Sequence, residues 1–319
     1  MPINDRAIVI VKKSVVLLFS GQGAQEVGMG KSLVNDFPEA KNIFKSADEQ
    51  LGVNLSEVMF KGPVEELTKT SMCQPALYLH GLASWKILKA QCPDLEPVAA
   101  AGLSLGEFTA YSAAGAFTFE NGLNVVARRG EFMEQACNET QGSMAAIIGG
   151  DEKSVCALAK EFDVDVANFN APGQIVISGE VSKIKSALEK VKDFGCRMGK
   201  ELVVAGAYHS KLMQSAQEKL SEKLRDFSIS DPEFPVISNV EAKSMSGSDE
   251  IINSLERQVT GSVRWAQSME LLLAEGHDLF LEFSPKPVLA GLMNRIRKGT
   301  QVITVGDTES LEEAVKILS

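Results

Sequence analysis

Histidine is scarce in this chain, cysteine falls into no pairing pattern, and long apolar runs are missing. Only three histidines, His80, His209 and His277, occur in 319 residues, so chemistry that needs an imidazole has few places to be. The five cysteines, Cys73, Cys92, Cys137, Cys156 and Cys196, are odd in number and widely spaced. They form no C-x-x-C pair, which argues against a metal site or a disulfide framework and reads as reduced thiols in a cytosol-like compartment. No apolar run approaches the roughly 20 residues of a membrane span. Lys12 and Lys13 split the apolar N-terminal segment and no small-residue cleavage site follows, so neither a signal peptide nor a membrane association is expected. Basic residues are outnumbered, 32 Lys and Arg against 42 Asp and Glu, for a net charge of −10. That balance speaks against nucleic acid as a partner. Internal repeats and low-complexity segments are absent as well.

What is present is an ordinary globular composition, 45% hydrophobic and 23% charged, in a chain long enough for one large domain with an insertion, or for two domains. The stretch Ala99-Ala100-Ala101-Gly102-Leu103-Ser104-Leu105-Gly106-Glu107 organises the rest. The apolar run Pro97 to Leu103 reads as a buried strand, and Leu105, Phe108, Thr109, Ser112 and Ala113 begin a helical pattern. Ser104 sits between two glycines in a G-x-S-x-G pattern, the strand–turn–helix corner that lifts a serine hydroxyl towards a substrate and aims helical N–H groups at it. A buried turn whose serine only caps a helix is the alternative. Ser14 to Ser20 is a second buried strand, and it ends in Gly21-Gln22-Gly23-Ala24-Gln25, a loop whose amides can face a ligand. A helix is expected to open at Gln74-Pro75, with Pro75 in its first turn.

From Gly142 the pattern changes. Strands at Met144 to Ile148, Val164 to Asn168, Gln174 to Ser178 and Arg197 to Val204 alternate with helices at Glu152 to Phe162 and Val181 to Phe194. This β-α-β-β-α-β order is the split pattern of ferredoxin-like modules. The expected organisation is an α/β hydrolase-like catalytic domain with a parallel sheet, residues 1–139 and 206–319, carrying a ferredoxin-like inserted subdomain, residues 140–205. Further strands are expected at Pro235 to Val240, Leu279 to Phe283 and Gln301 to Val305.

A serine nucleophile needs a base. His80 lies inside an apolar helix and reads as structural. His277 precedes a strand, whereas sites in open α/β sheets lie at the carboxyl ends of strands. His209 follows a strand among small residues and opens a helix, and is the best candidate. Arg128 and Arg129 lie on the helix expected over Phe119 to Gln135. One of them, if turned inward, is a fixed cation able to hold a carboxylate in bidentate fashion.

These motifs together resemble the malonyl-CoA:acyl carrier protein transacylases of fatty acid synthesis and, more loosely, the acyltransferase domains of polyketide synthases. The resemblance is carried by Gly21-Gln22-Gly23-Ala24-Gln25, Gly102-Leu103-Ser104-Leu105-Gly106-Glu107, Arg129-Gly130, Asn168-Phe169-Asn170-Ala171-Pro172-Gly173-Gln174, Tyr208-His209-Ser210 and Gln258, in the family's order from about Val15 to Val305. It implies that Ser104 carries the acyl group and that His209 is the base, oriented by the main-chain carbonyl of Gln258. It implies an oxyanion hole from the amides of Gln22 and Leu105, and a grip of Arg129 on the malonyl carboxylate, with Asn170 and Tyr208 at the substrate. No bound cofactor is implied; malonyl-CoA and coenzyme A are substrate and product, phosphopantetheinylated acyl carrier protein is the partner, and a cytoplasmic or organellar monomer is expected. The aromatic Tyr208 implies malonyl over methylmalonyl.

Leu103 stands where the family commonly has His, Tyr208 where bacterial members often have Ser, and Ser284-Pro285 where Gly-Pro is common. Arg128 is the alternative to Arg129 as the clamp. An acidic carrier protein needs a basic landing surface, for which Lys286, Arg295, Arg297, Lys298, Arg197 and Lys200 are candidates. A serine hydrolase or thioesterase on the same elbow, and a non-catalytic docking subunit, are the competing readings. The missing acidic partner for the histidine argues against the first, and the intact Ser104, His209 and Arg129 against the second.

Overall fold

The computed structural model describes residues 13–318. The N-terminal segment behind the signal-peptide expectation lies outside these, apart from Lys13. Strand β1 (Lys13–Phe19) is buried on both faces from Val15 onward, which is why it is a continuous apolar run rather than an alternating one. It pairs in parallel with β2 (Leu95–Gly102). The small subdomain-like region that follows contributes β3 (Gly142–Ile148), β4 (Asp165–Ala171), β5 (Gln174–Glu180) and β6 (Met198–Glu201). The chain then returns to the first sheet with β7 (Val236–Ile237), β8 (Leu279–Phe283) and β9 (Gln301–Val305).

Two separate sheets result. The first is parallel throughout, in the order β7-β2-β1-β8-β9. Helices cover both its faces: Thr70–Gln91, Leu105–Ala113 and Phe119–Glu139 pack around Leu17, Phe19 and Phe283, while Trp265, Met269, Leu289 and Met293 cover Val16, Leu18 and Phe280. The second sheet is antiparallel, in the order β4-β5-β3-β6. The helices Glu152–Glu161 and Val181–Lys190 lie on one face of it, around Ala145, Ile147, Ile175, Ile177 and Ile184. This is the fold class expected from the sequence, a parallel α/β sheet with a separate β-α-β-β-α-β unit. The two sheets meet where Ala167 and Phe169 of β4 bond to Val263 of the large sheet's side, Phe169 N to Val263 O at 2.9 Å and Val263 N to Ala167 O at 2.8 Å.

Local differences from the sequence reading have local causes. The helix expected to begin at Gln74 begins at Thr70, so Pro75 sits inside it rather than in the first turn. Burial of Thr70, Cys73, Gln74 and Ala76 outweighs the lost N–H at Pro75. The strand expected over Pro235 to Val240 narrows to Val236–Ile237, because Ser238 and Asn239 leave the ladder to bond elsewhere. The strand expected over Arg197 to Val204 ends at Glu201, and Leu202, Val203 and Val204 instead line a cavity between the two sheets. The helices Leu55–Lys61 and Val64–Thr68, seven and five residues long, are too short to show a helical period in the sequence.

Candidate active site

The carboxyl end of β2 runs into the helix Leu105–Ala113 through Ser104, whose backbone has φ +55° and ψ −108°. A non-glycine residue there is strained, and the surroundings must hold it. The flanking glycines explain how. A Cβ at Gly102 would sit 1.9 Å from the backbone of Gly106, and one at Gly106 would sit 2.1 Å from the carbonyl oxygen of Phe19. Only glycine lets β1, β2 and the helix start approach this closely. Asn239, just past β7, pins the corner from the other side. Its Oδ1 accepts from Ser104 N at 2.7 Å, and its Nδ2 donates to Gly102 O at 2.7 Å.

His209 reaches the corner from the loop after β6, also at positive φ (+56°). Its Nε2 lies 2.8 Å from Ser104 Oγ and its Nδ1 lies 2.9 Å from the main-chain oxygen of Gln258. The carbonyl can only accept, so Nδ1 carries the hydrogen and Nε2 is left free to take the hydroxyl proton. The ring is 4% exposed. Burial, and then the cation of Arg129, push it down to about 4, so it is a neutral base at neutral pH.

Arg129 comes from the helix Phe119–Glu139, which turns it inward, 1% exposed, and leaves Arg128 outside, paired with Glu131 at 2.7 Å. Its hydrogen bonds go to neutral groups: Gln74 Oε1 at 2.6 Å, Gln258 Oε1 at 2.8 Å and Ser104 Oγ at 3.0 Å. Its Nε has no partner among the described residues, and its face lies over Phe108, 5.3 Å from the ring centroid. Burial pulls it down to about 10, so it remains a cation at neutral pH. A cation held this deep without a bound carboxylate is costly, and an anionic group entering the cavity offsets that cost.

The cavity, about 300 Å³, is lined by Gln22, Leu103, Ser104, Arg129, Met133 and His209 among others, and by Asn168, Asn170 and Gln174 from the small sheet. Its lining is more apolar than polar, with Leu202, Val203, Val288 and Leu292 among the apolar residues. Among the described residues the backbone N–H groups of Gln22 and Leu105 donate to no other main-chain group, and both residues face the cavity. Asn170 lines it with a buried Oδ1 that lacks a donor among the described residues. Tyr208 is buried beside Cys137, Thr70 and Gln22, its hydroxyl close to them but without a well-formed hydrogen bond. Burial pushes that phenol up.

The other sequence candidates lie elsewhere. His80 is fully buried with Nε2 2.7 Å from Gly306 O, and burial lowers it to about 4. His277 pairs with Glu275 at 3.6 Å, away from the cavity. Of the basic candidates, Lys286 bonds to Glu26 at 3.3 Å, while Arg197, Lys200, Arg295, Arg297 and Lys298 are exposed. Four residues beside the serine escaped the sequence reading: Thr70, Gln74, Glu107 and Asn239. Thr70 and Gln74 stand four apart in a mostly apolar helix, a polar pair that could have marked an inward face. Asn239 follows a strand of the parallel sheet at its carboxyl end, the edge where sites form. A cluster of metal-ligating side chains is absent among the described residues.

The profile of the acyl transferase domain family matches residues 16–311. The malonyl CoA-acyl carrier protein transacylase of Bacillus subtilis (strain 168) is 40% identical over 309 residues, covering 95% of this chain and 97% of its own. The solved structure of the malonyl CoA-acyl carrier protein transacylase from Coxiella burnetii superposes with a TM-score of 0.92 at 32% identity, covering 96% of this chain and 98% of that one. A malonyl-transacylase solved in complex with a type II polyketide synthase acyl-carrier protein superposes at 0.91 with 35% identity, over 96% of this chain and 99% of that one.

Proposed function

The chain belongs to the acyl transferase domain family, and from that premise we propose that it moves a malonyl group from malonyl-CoA to the phosphopantetheine thiol of an acyl carrier protein through a malonyl-serine intermediate. The transacylase names of its relatives support the overall transfer, and the solved carrier complex of one relative supports the partner. The observation that carries the reading is the meeting, at one oxygen, of Ser104 Oγ with the neutral base His209 and the unpaired buried cation Arg129.

In the first half-reaction His209 Nε2 takes the Ser104 proton as Oγ attacks the thioester carbon. Negative charge develops on the carbonyl oxygen, and the amides of Gln22 and Leu105 receive it. Losing one such donor typically costs ~2.7–4 kcal/mol in the transition state. The tetrahedral species collapses, the C–S bond breaks, and the proton on His209 goes to the coenzyme A sulfur. Ser104 now holds malonyl as an ester, with its free carboxylate on Arg129. In the second half the carrier thiol gives its proton to His209 and attacks the same carbon, and His209 passes the proton to Oγ as the C–O bond breaks. His209 needs no acidic partner here, because the Gln258 carbonyl fixes its tautomer.

The Arg129 clamp selects a dicarboxylic acyl group, since a simple fatty acyl chain leaves the buried charge unpaired. Tyr208 and Asn170 belong to the substrate wall in this reading, and Tyr208 favours malonyl over methylmalonyl by its bulk. We take residues 1–139 and 206–319 as the catalytic unit and residues 140–205 as an insertion that closes the cavity. The protein acts as a monomer in a reducing, cytoplasmic setting, consistent with its free cysteines, and no described helix is long and apolar enough to cross a membrane. The test is a product assay with malonyl-CoA, with and without phosphopantetheinylated carrier protein. Malonyl-carrier formation, with little free malonate, is expected. Free malonate at the same rate without carrier would make the protein a hydrolase and end this reading.

A further inference from the structure

The side chain of Gln258 stands between two buried charges. Its Nε2 donates to Glu107 Oε2 at 2.6 Å and to Ser104 O at 2.9 Å, while its Oε1 accepts from Arg129 at 2.8 Å. Glu107, on the helix that follows the serine, is 0% exposed, and its Oε2 also accepts from Asn239 N at 3.1 Å. We propose that Glu107 is a positioning residue, which sets the orientation of the Gln258 amide and through it holds the Arg129 guanidinium beside Ser104 Oγ. The inference rests on the malonyl-transfer reading above.

The reasoning is one of donors and acceptors. An amide has a donor end and an acceptor end, and the guanidinium is donor-only. With the nitrogen tied to Glu107 and Ser104 O, the amide oxygen must face Arg129. Burial raises Glu107 to about 7, so both of its forms occur near neutral pH. Oε1 has no partner among the described residues, so a proton placed there leaves Oε2 accepting as before, and the amide keeps its orientation in either state. A glutamate touching Arg129 directly would pair with it and compete with the acyl carboxylate. The neutral amide spacer holds the cation in place and leaves it available.

The test compares self-acylation by malonyl-CoA with that by acetyl-CoA, which has no carboxylate for Arg129. In Glu107→Leu, the malonyl over acetyl ratio of kcat/KM is expected to fall about tenfold or more, the scale of a lost hydrogen bond to a charged group. Gln258→Leu, which keeps its main-chain carbonyl for His209, should lower the ratio alike, and the double variant should be no worse than either single one. Glu107→Gln retains an acceptor and should stay within a few-fold of the wild type. Equal slowing of both donors in Glu107→Leu would reduce Glu107 to support of the fold and overturn the inference, as would additive effects in the double variant or full loss of the ratio in Glu107→Gln. Should Glu107→Leu not fold, the Gln258→Leu and Glu107→Gln arms still decide. Wild type that fails to take malonyl would instead end the transfer reading itself.

Discussion

Replacing Arg129 with methionine, which keeps much of the volume and removes the charge, separates substrate selection from stability. The guanidinium makes hydrogen bonds to Gln74, Gln258 and Ser104 and pairs with no carboxylate among the described residues. With malonyl on Ser104 it gains a buried carboxylate partner, and truncating one side of such a pair costs about 2–5 kcal/mol. At about 1.4 kcal/mol per factor of ten, kcat/KM for malonyl self-acylation should fall by roughly 30-fold to several thousand-fold. Acetyl-CoA carries no carboxylate, so its rate should fall far less, by no more than about the worth of one hydrogen bond to Ser104 Oγ. Stability moves little, because two opposing effects meet. The cost of a buried, uncompensated cation disappears, while Gln74 Oε1 and Gln258 Oε1 each lose a donor, at ~1–3 kcal/mol apiece. The assay is quenched-flow measurement of acyl-enzyme from each donor, beside thermal unfolding. A parallel loss for malonyl and acetyl, or retained malonyl preference, would refute the clamp.

Other outcomes follow from the same geometry. The acid limb of malonyl self-acylation should lie near the lowered value of about 4 for His209, well under the usual histidine range, and Arg129→Met should move it upward, since the cation disfavours imidazolium; a limb near 6.5 in the wild type would contradict this. Gly106→Ala forces a Cβ to within 2.1 Å of the Phe19 carbonyl and should cost more than about 2 kcal/mol in denaturant unfolding while abolishing self-acylation. Gly291→Ala, in the helix Val288–Ile296 with no atom within 4 Å of an added Cβ, should instead stabilise by about 0.4–1 kcal/mol by the same measurement.

Much of the scaffold is legible in the residues. A continuous apolar run such as Val15 to Phe19 reads as a strand buried on both faces, and the glycines around Ser104 mark a corner where backbones touch. The order of strands and helices from Gly142 onward likewise announces a separate antiparallel unit. What the residues do not display is how distant side chains meet. Ser104 and His209 are 105 positions apart, and Arg129 and Gln258 are 129 apart. Nothing local in the sequence makes Gln258 bond with both ends of its amide. Glu107 escaped for a related reason. A glutamate on a helix ordinarily faces water, and only the approach of Gln258 and Asn239 makes its burial tolerable. Val236–Ile237 is short for a reason equally invisible in propensity, since Asn239 is needed at the serine corner rather than in the sheet.

The central claim is that Ser104 carries the acyl group. Intact mass of the protein after brief exposure to malonyl-CoA, beside a Ser104→Ala control, tests it most directly. The expected result is a single malonyl adduct on the wild type and none on the control, with coenzyme A released in equal amount. An adduct that persists in Ser104→Ala, or coenzyme A release from the wild type with no adduct at any time, would contradict the account.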